Sequence, residues 1–255
     1  MRFIMADTKR TVWNYGMALS VAVILFMFVR SCTIELMDMG NYDRLYIITI
    51  PMALSGFTPF ASLFAVLPGS SSFCDDYNSG YIKNIAIRVG WKRYARGRIV
   101  STAISGGLAI ALPMVILFIT VLIGAQPTTG IQNYAEESGF YANTIWESLV
   151  YVGGGAYVLF LKTILGFVFG MVWALVGLAI SAYIPNKYVT FLAPFVLYQA
   201  LWVLLQNHWF NPVLLLRGDV GEQISFLAIL GVQLVWILVC SALFYFGVKR
   251  RMDRG

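Results

Sequence analysis

Residues 99–123 read IVSTAISGGLAIALPMVILFITVLI, an unbroken run without a charged side chain. The hydrocarbon core of a bilayer is about 30 Å thick and takes about 20 apolar residues of helix to cross. Inside lipid every backbone N–H and C=O has to be satisfied within the segment, so a run of this length is expected to be a helix that spans. Outward from it, comparable blocks lie at about 12–29, 45–67, 161–183, 188–205 and 225–248. Together they explain why 59% of the chain is hydrophobic and only 12% charged, a balance that excludes an ordinary soluble domain. The expectation is an all-α polytopic membrane protein in which residues 1–255 form one domain with six transmembrane helices.

Two blocks carry internal conflicts. Pro51 and Pro59 fall inside the second; each removes a backbone hydrogen bond, so kinks are expected there, shielded by neighbouring helices rather than lipid. Residues 149–184 are too long for one crossing and contain Gly153, Gly154, Gly155 and Lys162. A lysine at a span centre costs about 2.5–3.5 kcal/mol on insertion scales, whereas near the edge its stem lets the ammonium reach the headgroups. The fourth span is therefore placed at 161–183, with Lys162 at its outer edge and 146–159 as an outer interfacial or re-entrant segment. Residues 206–222, with Trp209, Phe210, Pro212 and the apolar run 213–216, read as a second outer dip.

The formal charge of +6 is distributed unevenly along the chain. Of the 18 Lys and Arg residues, all but Arg30, Arg44, Lys162 and Arg217 fall before the first span, in the loop 68–98, at Lys187 or after the sixth span. The positive-inside rule makes those regions, and both chain ends, cytoplasmic. Trp13, Tyr46, Trp146, Tyr183, Tyr188 and Tyr245 near span ends agree with an aromatic belt. Residues 1–31 read as an uncleaved signal anchor without a lipidation site, because Arg30 precedes Cys32 where small residues are wanted. Cys32, Cys74 and Cys240 fall in an outer loop, an inner loop and a span, so no disulfide is expected.

Chemistry is sparse. No Gly-x-x-x-x-Gly-Lys-Ser/Thr phosphate loop is present, His208 is the one histidine, and no metal-ligand or nucleophile-elbow spacing occurs. The expectation is a chain that is not an enzyme, with no catalytic residue, no metal and no cofactor. The spans hold no Asp or Glu to carry a proton; Gln199 and Gln233 are read as bridges between helices. A secondary transporter or channel remains the alternative, with sodium coupling through unwound carbonyls leaving little sequence trace. Gly106, Gly107, Gly166, Gly170 and Gly177 mark faces where helices approach closely, read as packing within one subunit.

The most informative loop is 73–98, FCDDYNSGYIKNIAIRVGWKRYARGR. Arg88, Lys92 and Arg96 recur every four residues and are expected to stack on one helical face, with Ile82, Ile85, Ala86 and Val89 on another. Such a helix lies at an interface. It suits anionic lipid, at about 1 kcal/mol per basic residue, or a soluble partner; the residues leave both open.

In this segment the chain resembles the permease subunits of the ABC-2 family of ATP-binding cassette exporters. Asp76-Tyr-Asn-Ser-Gly80, with Asp75 adjacent, resembles the family's opening of an acidic residue, three variable residues and a glycine; Arg88, Trp91, Arg93, Tyr94 and Arg98 resemble the basic and aromatic run that follows. Asp stands where the family usually has Glu, and residues 1–11 are short for its N-terminal interfacial helix. The resemblance implies a plasma-membrane protein in which the loop between spans 2 and 3 is a coupling helix. Asp75, Asp76, Gly80, Lys83, Arg88, Lys92, Arg93 and Arg96 would contact a separate ATPase subunit that binds ATP and Mg. It further implies a second permease copy or paralogue as partner, no nucleic acid, and a hydrophobic or amphipathic cargo (peptide, lipid or drug) passing between spans 2 and 5. Phe57, Phe60, Phe64, Phe191, Phe195 and Tyr198 are its pathway candidates.

Overall fold

A computed structural model describes the chain except residues 1, 43, 83–87, 126–144, 219–223 and 253–255. In chain order the helices are α1 (Arg2–Val12), α2 (Tyr15–Ser31), α3 (Thr33–Met37), α4 (Arg44–Leu54), α5 (Phe57–Val66), α6 (Ser72–Asn78), α7 (Trp91–Gly124), α8 (Ile145–Tyr183), α9 (Lys187–Leu204), α10 (Pro212–Arg217) and α11 (Phe226–Met252). No strand occurs among the described residues. Among the described residues four helices are each long and apolar enough to cross a membrane: α7, the Val152–Tyr183 part of α8, α9 and α11. Two bent pairs, α1 with α2 at 48° and α4 with α5 at 80°, raise the candidates to as many as six. The chain is thus a helical membrane protein with four to six candidate spans.

The bends have local causes. Between α1 and α2, Asn14 caps α2 by accepting from Met17 N–H at 2.8 Å, and its amide donates to the Pro68 carbonyl. This ties the break to the far end of α5. The sharper break at Ser55 and Gly56 lies between the two prolines rather than at either. Gly56 has φ +73, a conformation that a side chain with a Cβ resists. The exposed ends are then satisfied from nearby: Thr58 Oγ1 donates to the Met52 carbonyl at 2.9 Å and Phe57 N–H to Ser55 Oγ at 3.1 Å. From α9, Tyr198 Oη donates to the Thr58 carbonyl at 2.8 Å and Gln199 Nε2 to the Pro59 carbonyl at 2.7 Å. The expected shielding by a neighbouring helix is therefore supplied by α9, and Gln199 bridges helices as its position suggested.

Helix α8 is the central post. Of its most apolar window 67% is buried inside the chain, against 17% for α9 and for α11, which stand at the periphery. Its main partner is α7, along the glycines singled out in the sequence. A Cβ added at Gly106 would stand 2.3 Å from Ala174 Cβ, and one at Gly170 would stand 2.3 Å from the Gly106 carbonyl oxygen. Gly107 and Gly166 receive Phe167 and Met114 in the same way. The small-residue faces thus serve packing within the subunit.

Lys162 departs from its expected place. It does not reach outward: it is 2% exposed, and its ammonium lies 4.4 Å from the centre of the Trp146 ring and donates to the Arg217 carbonyl at 3.2 Å. The cause is the kink at Gly154 (φ +72), where α8 folds its first turns back. Trp146 then reaches the C-terminus of α10, where its Nε1 also donates to the Arg217 carbonyl at 3.1 Å. A helix C-terminus and an indole face both attract a cation, so the buried position replaces the headgroups the lysine would otherwise seek. The apolar run after Asn211 forms the short helix α10, whose Pro212, Val213, Leu215 and Leu216 are buried within the chain.

Gly106→Ala or Gly170→Ala should overpack the α7–α8 seam by about 1–3 kcal/mol and lower the thermal midpoint of the purified protein. Gly231→Ala, where nothing lies within 4 Å of an added Cβ, should leave it unchanged or slightly raised; equal midpoints for all three variants would contradict the seam.

Candidate functional site

The motif Asp76 to Gly80 begins inside α6, a two-turn helix between the second and third expected spans. On α7, Tyr94, Arg98 and Ser101 are spaced by four and then three residues, so they share one face. That face meets α6 on one side and α1 on the other. Tyr94 Oη donates to Asp76 Oδ2 at 2.8 Å, and Arg98 Nη2 donates to the same oxygen. Arg98 Nη1 pairs with Asp7 Oδ1 of α1 at 2.6 Å, and Ser101 Oγ donates to Asp7 Oδ2 at 2.6 Å. Arg10, also on α1 and half exposed, approaches Asp76 Oδ1 at 3.4 Å.

Burial makes this cluster consequential. Arg98 is 1% exposed, Asp76 2% and Asp7 6%. Two carboxylates and two guanidiniums balance, and the inner three are almost wholly removed from water. A buried ion pair contributes little net stability, because desolvation offsets attraction, but losing one partner strands the others and costs about 3–5 kcal/mol. Each member is therefore held by the rest. The consequence is mechanical: α1, the α6 segment and the foot of α7 are fastened as one body.

The other sides of α6 are gripped as well. Asp75 pairs with Lys187 Nζ at 2.5 Å, where α9 begins, and the Cys74 thiol lies 3.3 Å from Thr190 Oγ1. Burial pushes that thiol above its ordinary pKa, against the lowering effect of the Thr190 hydrogen bond. From α11, Phe244 meets Phe73 edge-on at 5.4 Å, and the Arg251 guanidinium lies 4.6 Å from the centre of the Tyr77 ring. Arg251 also donates to the Ala182 and Tyr183 carbonyls, which the C-terminus of α8 leaves without helical partners.

The expected docking residues divide in consequence. Asp76 faces inward and is not available to a partner; Asp75 is engaged but partly exposed. Gly80, Arg88, Lys92, Arg93 and Arg96 are exposed, and Lys83 lies outside the described residues. Arg88 does not stack with Lys92 and Arg96 on one continuous helix. Gly90, at φ +82 and ψ 135, interrupts the helix between them, and Lys92 and Arg96 belong to the first turns of α7. Ile82 is buried and Val89 is packed on the core as the apolar strip requires, while Ile85 and Ala86 lie outside the described residues.

The pathway candidates divide too. Phe57, Phe64 and Tyr198 are interior: Phe57 meets Phe28 edge-on at 5.1 Å and stacks with Phe64 at 6.4 Å, while Tyr198 packs against Trp173 at 5.1 Å. These three build the core rather than a surface. Phe60 is 44% exposed and stacks in parallel with the half-buried Phe195 at 5.8 Å. Phe191 is half-buried one turn before Phe195 on α9. An α5–α9 face carrying Phe60 and Phe195 is what remains of the expected lining.

Sequence reasoning missed the partnership of Asp7 with Arg98, which spans 91 positions. One signal was present: Arg98 directly abuts an apolar run, and the residues at −4 and +3, Tyr94 and Ser101, are polar-capable on the same face. Nothing in spacing could have named Asp7 as the acceptor. Among the described residues no group of three or more His, Cys, Asp or Glu could hold a metal ion. No model of a known protein family, no curated protein and no solved structure matches the chain.

Arg98→Met should leave Asp7 and Asp76 buried without their common partner, losing about 3–5 kcal/mol and most of the monodisperse protein in detergent. Adding Asp7→Asn and Asp76→Asn to that variant should recover folded protein. A triple variant as poor as the single one would show that Arg98 acts by packing and not by charge.

Proposed function

We propose that this chain is the membrane-spanning permease subunit of an ATP-driven exporter of the ABC-2 kind. In this reading it crosses the membrane six times with both ends cytoplasmic, pairs with a second permease copy or paralogue, and is driven by ATPase subunits on other polypeptides. The observation that carries the reading is the fastening of α6. A short helix between two spans is tied by Asp76, Arg98 and Asp7 to α1 and α7, and by Lys187 and Arg251 to α9 and α11. Beside it stands an exposed basic cluster of Arg88, Lys92, Arg93 and Arg96. A push delivered at that cluster passes into several helices at once, which a subunit driven from outside requires.

The peripheral α9 supports the partnership with a second permease. Leu192 and Val196 are 56% and 61% exposed, beside the stacked Phe60 and Phe195. In a bilayer such a face meets lipid or another protein surface, and its aromatic pair suits an apolar or amphipathic cargo between two copies. A second reading of the basic cluster, an anchor on anionic inner-leaflet lipid, rests on the same exposed side chains.

Three charge reversals distinguish these readings. Arg88→Glu, Lys92→Glu and Arg96→Glu together should reduce the ATPase that co-purifies from the native host by at least about tenfold, equivalent to about 1.4 kcal/mol, without changing protein yield. Undiminished ATPase recovery together with weakened binding to anionic vesicles would assign the cluster to lipid. Membrane sidedness is open to thiol labelling, because Cys32, Cys74 and Cys240 are all buried. Ser79→Cys, at an exposed position, should react with an impermeant maleimide only from the cytoplasmic face, and His208→Cys only from outside; the reverse pattern would overturn the orientation.

A further inference from the structure

A cavity of about 280 Å³ lies between α8, α9, α10 and α11, away from the α6 cluster and from the Phe60–Phe195 face. Its walls are apolar, among them Trp173, Leu201, Leu215 and Trp236. Trp209 and Trp236 are each more than a third exposed and stand at its open edge. The volume is about twice the ~150 Å³ of an apolar cavity that accepts benzene, and near the lower end of ordinary ligand pockets. Apart from the indole N–H groups of its tryptophans, one polar side chain lines it. Gln233 of α11 is 2% exposed, and its Nε2 donates at 2.9 Å to the Leu215 carbonyl in the last turn of α10. That bond fixes which end of the amide is which. Oε1 is left enclosed, with no hydrogen-bond partner among the described residues. An enclosed acceptor without a donor is unfavourable by about 1–3 kcal/mol, and none of the indole N–H groups on the cavity wall bonds it.

We infer that this cavity is a binding site for a small, lipid-soluble molecule that carries one hydrogen-bond donor, a hydroxyl or an amide N–H, which it presents to Gln233 Oε1. The apolar walls take a body of one or two rings or a short hydrocarbon chain. The single acceptor orients it and selects it over an equally apolar molecule without a donor. A ligand of this kind reaches the site through the bilayer, past the tryptophans at its edge. The site exists whether or not the chain works with an ATPase, since none of its walls belongs to α6 or to the basic cluster.

The tryptophans report occupancy. In lipid nanodiscs, quenching of protein fluorescence by 4-bromophenol should saturate, with half-effect at roughly two- to tenfold lower membrane concentration than for 4-bromoanisole, in which the donor is methylated; one net hydrogen bond is worth that ratio. Gln233→Leu should make the two probes equivalent, at the level of the anisole. Val176→Phe, which fills the cavity and leaves Gln233 in place, should weaken both, and it tests the site even where Gln233→Leu does not fold. Equal, unsaturable quenching by both probes in the wild-type protein would mean contact from bulk lipid only and would overturn the inference. So would a phenol preference that survives Gln233→Leu, or quenching indifferent to Val176→Phe.

Discussion

Arg98 sits where water cannot reach it, between a carboxylate that arrives from α1 and one that arrives from α6. In the interior a lone charge is prohibitively unfavourable, so the guanidinium is tolerated only because both carboxylates are present, and each carboxylate only because of the guanidinium. This mutual requirement gives three segments that are remote in sequence one permitted arrangement. Tyr94 and Ser101 occupy further acceptor positions on the two carboxylates, which fixes orientation as well as proximity. Helix α6 is only two turns long and would not persist alone; it has a defined place because its surroundings are over-determined.

The same logic of paired necessity governs the irregular backbone inside the apolar region. A bend of 80° between α4 and α5 would be untenable against lipid, since it frees backbone polar groups. It is stable here because α9 carries Tyr198 and Gln199 at the height of the bend. At the other kink, Gly154 turns the first part of α8 so that Trp146 and Lys162 converge on one carbonyl at the end of α10. In both places a polar or cationic side chain in the apolar region marks a break in a helix.

These constraints separate the molecule into a rigid interior and a permissive periphery. The α7–α8 seam is closed by glycines that bring the two backbones together, and the charge cluster fastens α1 and α6 to the foot of α7. Helices α9 and α11 bury little of their surface within the chain. A machine that rearranges around a pathway needs such a division, with a stiff lever at one end and a lightly held face at the other. The proposed function places the lever at α6 and the face along α5 and α9.

How much of this was legible in advance follows from the range of the forces concerned. Apolar runs, the basic loop, the break demanded at 153–155, the short apolar run 213–216 and the close helix faces at Gly106 and Gly170 are local patterns, and hydropathy, charge and glycine spacing alone determined them. Which side chains would be hidden was decided elsewhere. Asp76 looked like an exposed contact residue until Arg98 and Tyr94 enclosed it, and Lys162 looked like a headgroup anchor until α10 placed a carbonyl beside it. Arg88 continues the face of Lys92 and Arg96 by spacing alone, and Gly90, at positive φ, breaks the helix between them. A charge in a sequence carries no record of its partner, because the partner is chosen by chain segments that meet only in the fold. Periodicity fixes the face on which a residue stands; only packing decides what stands opposite.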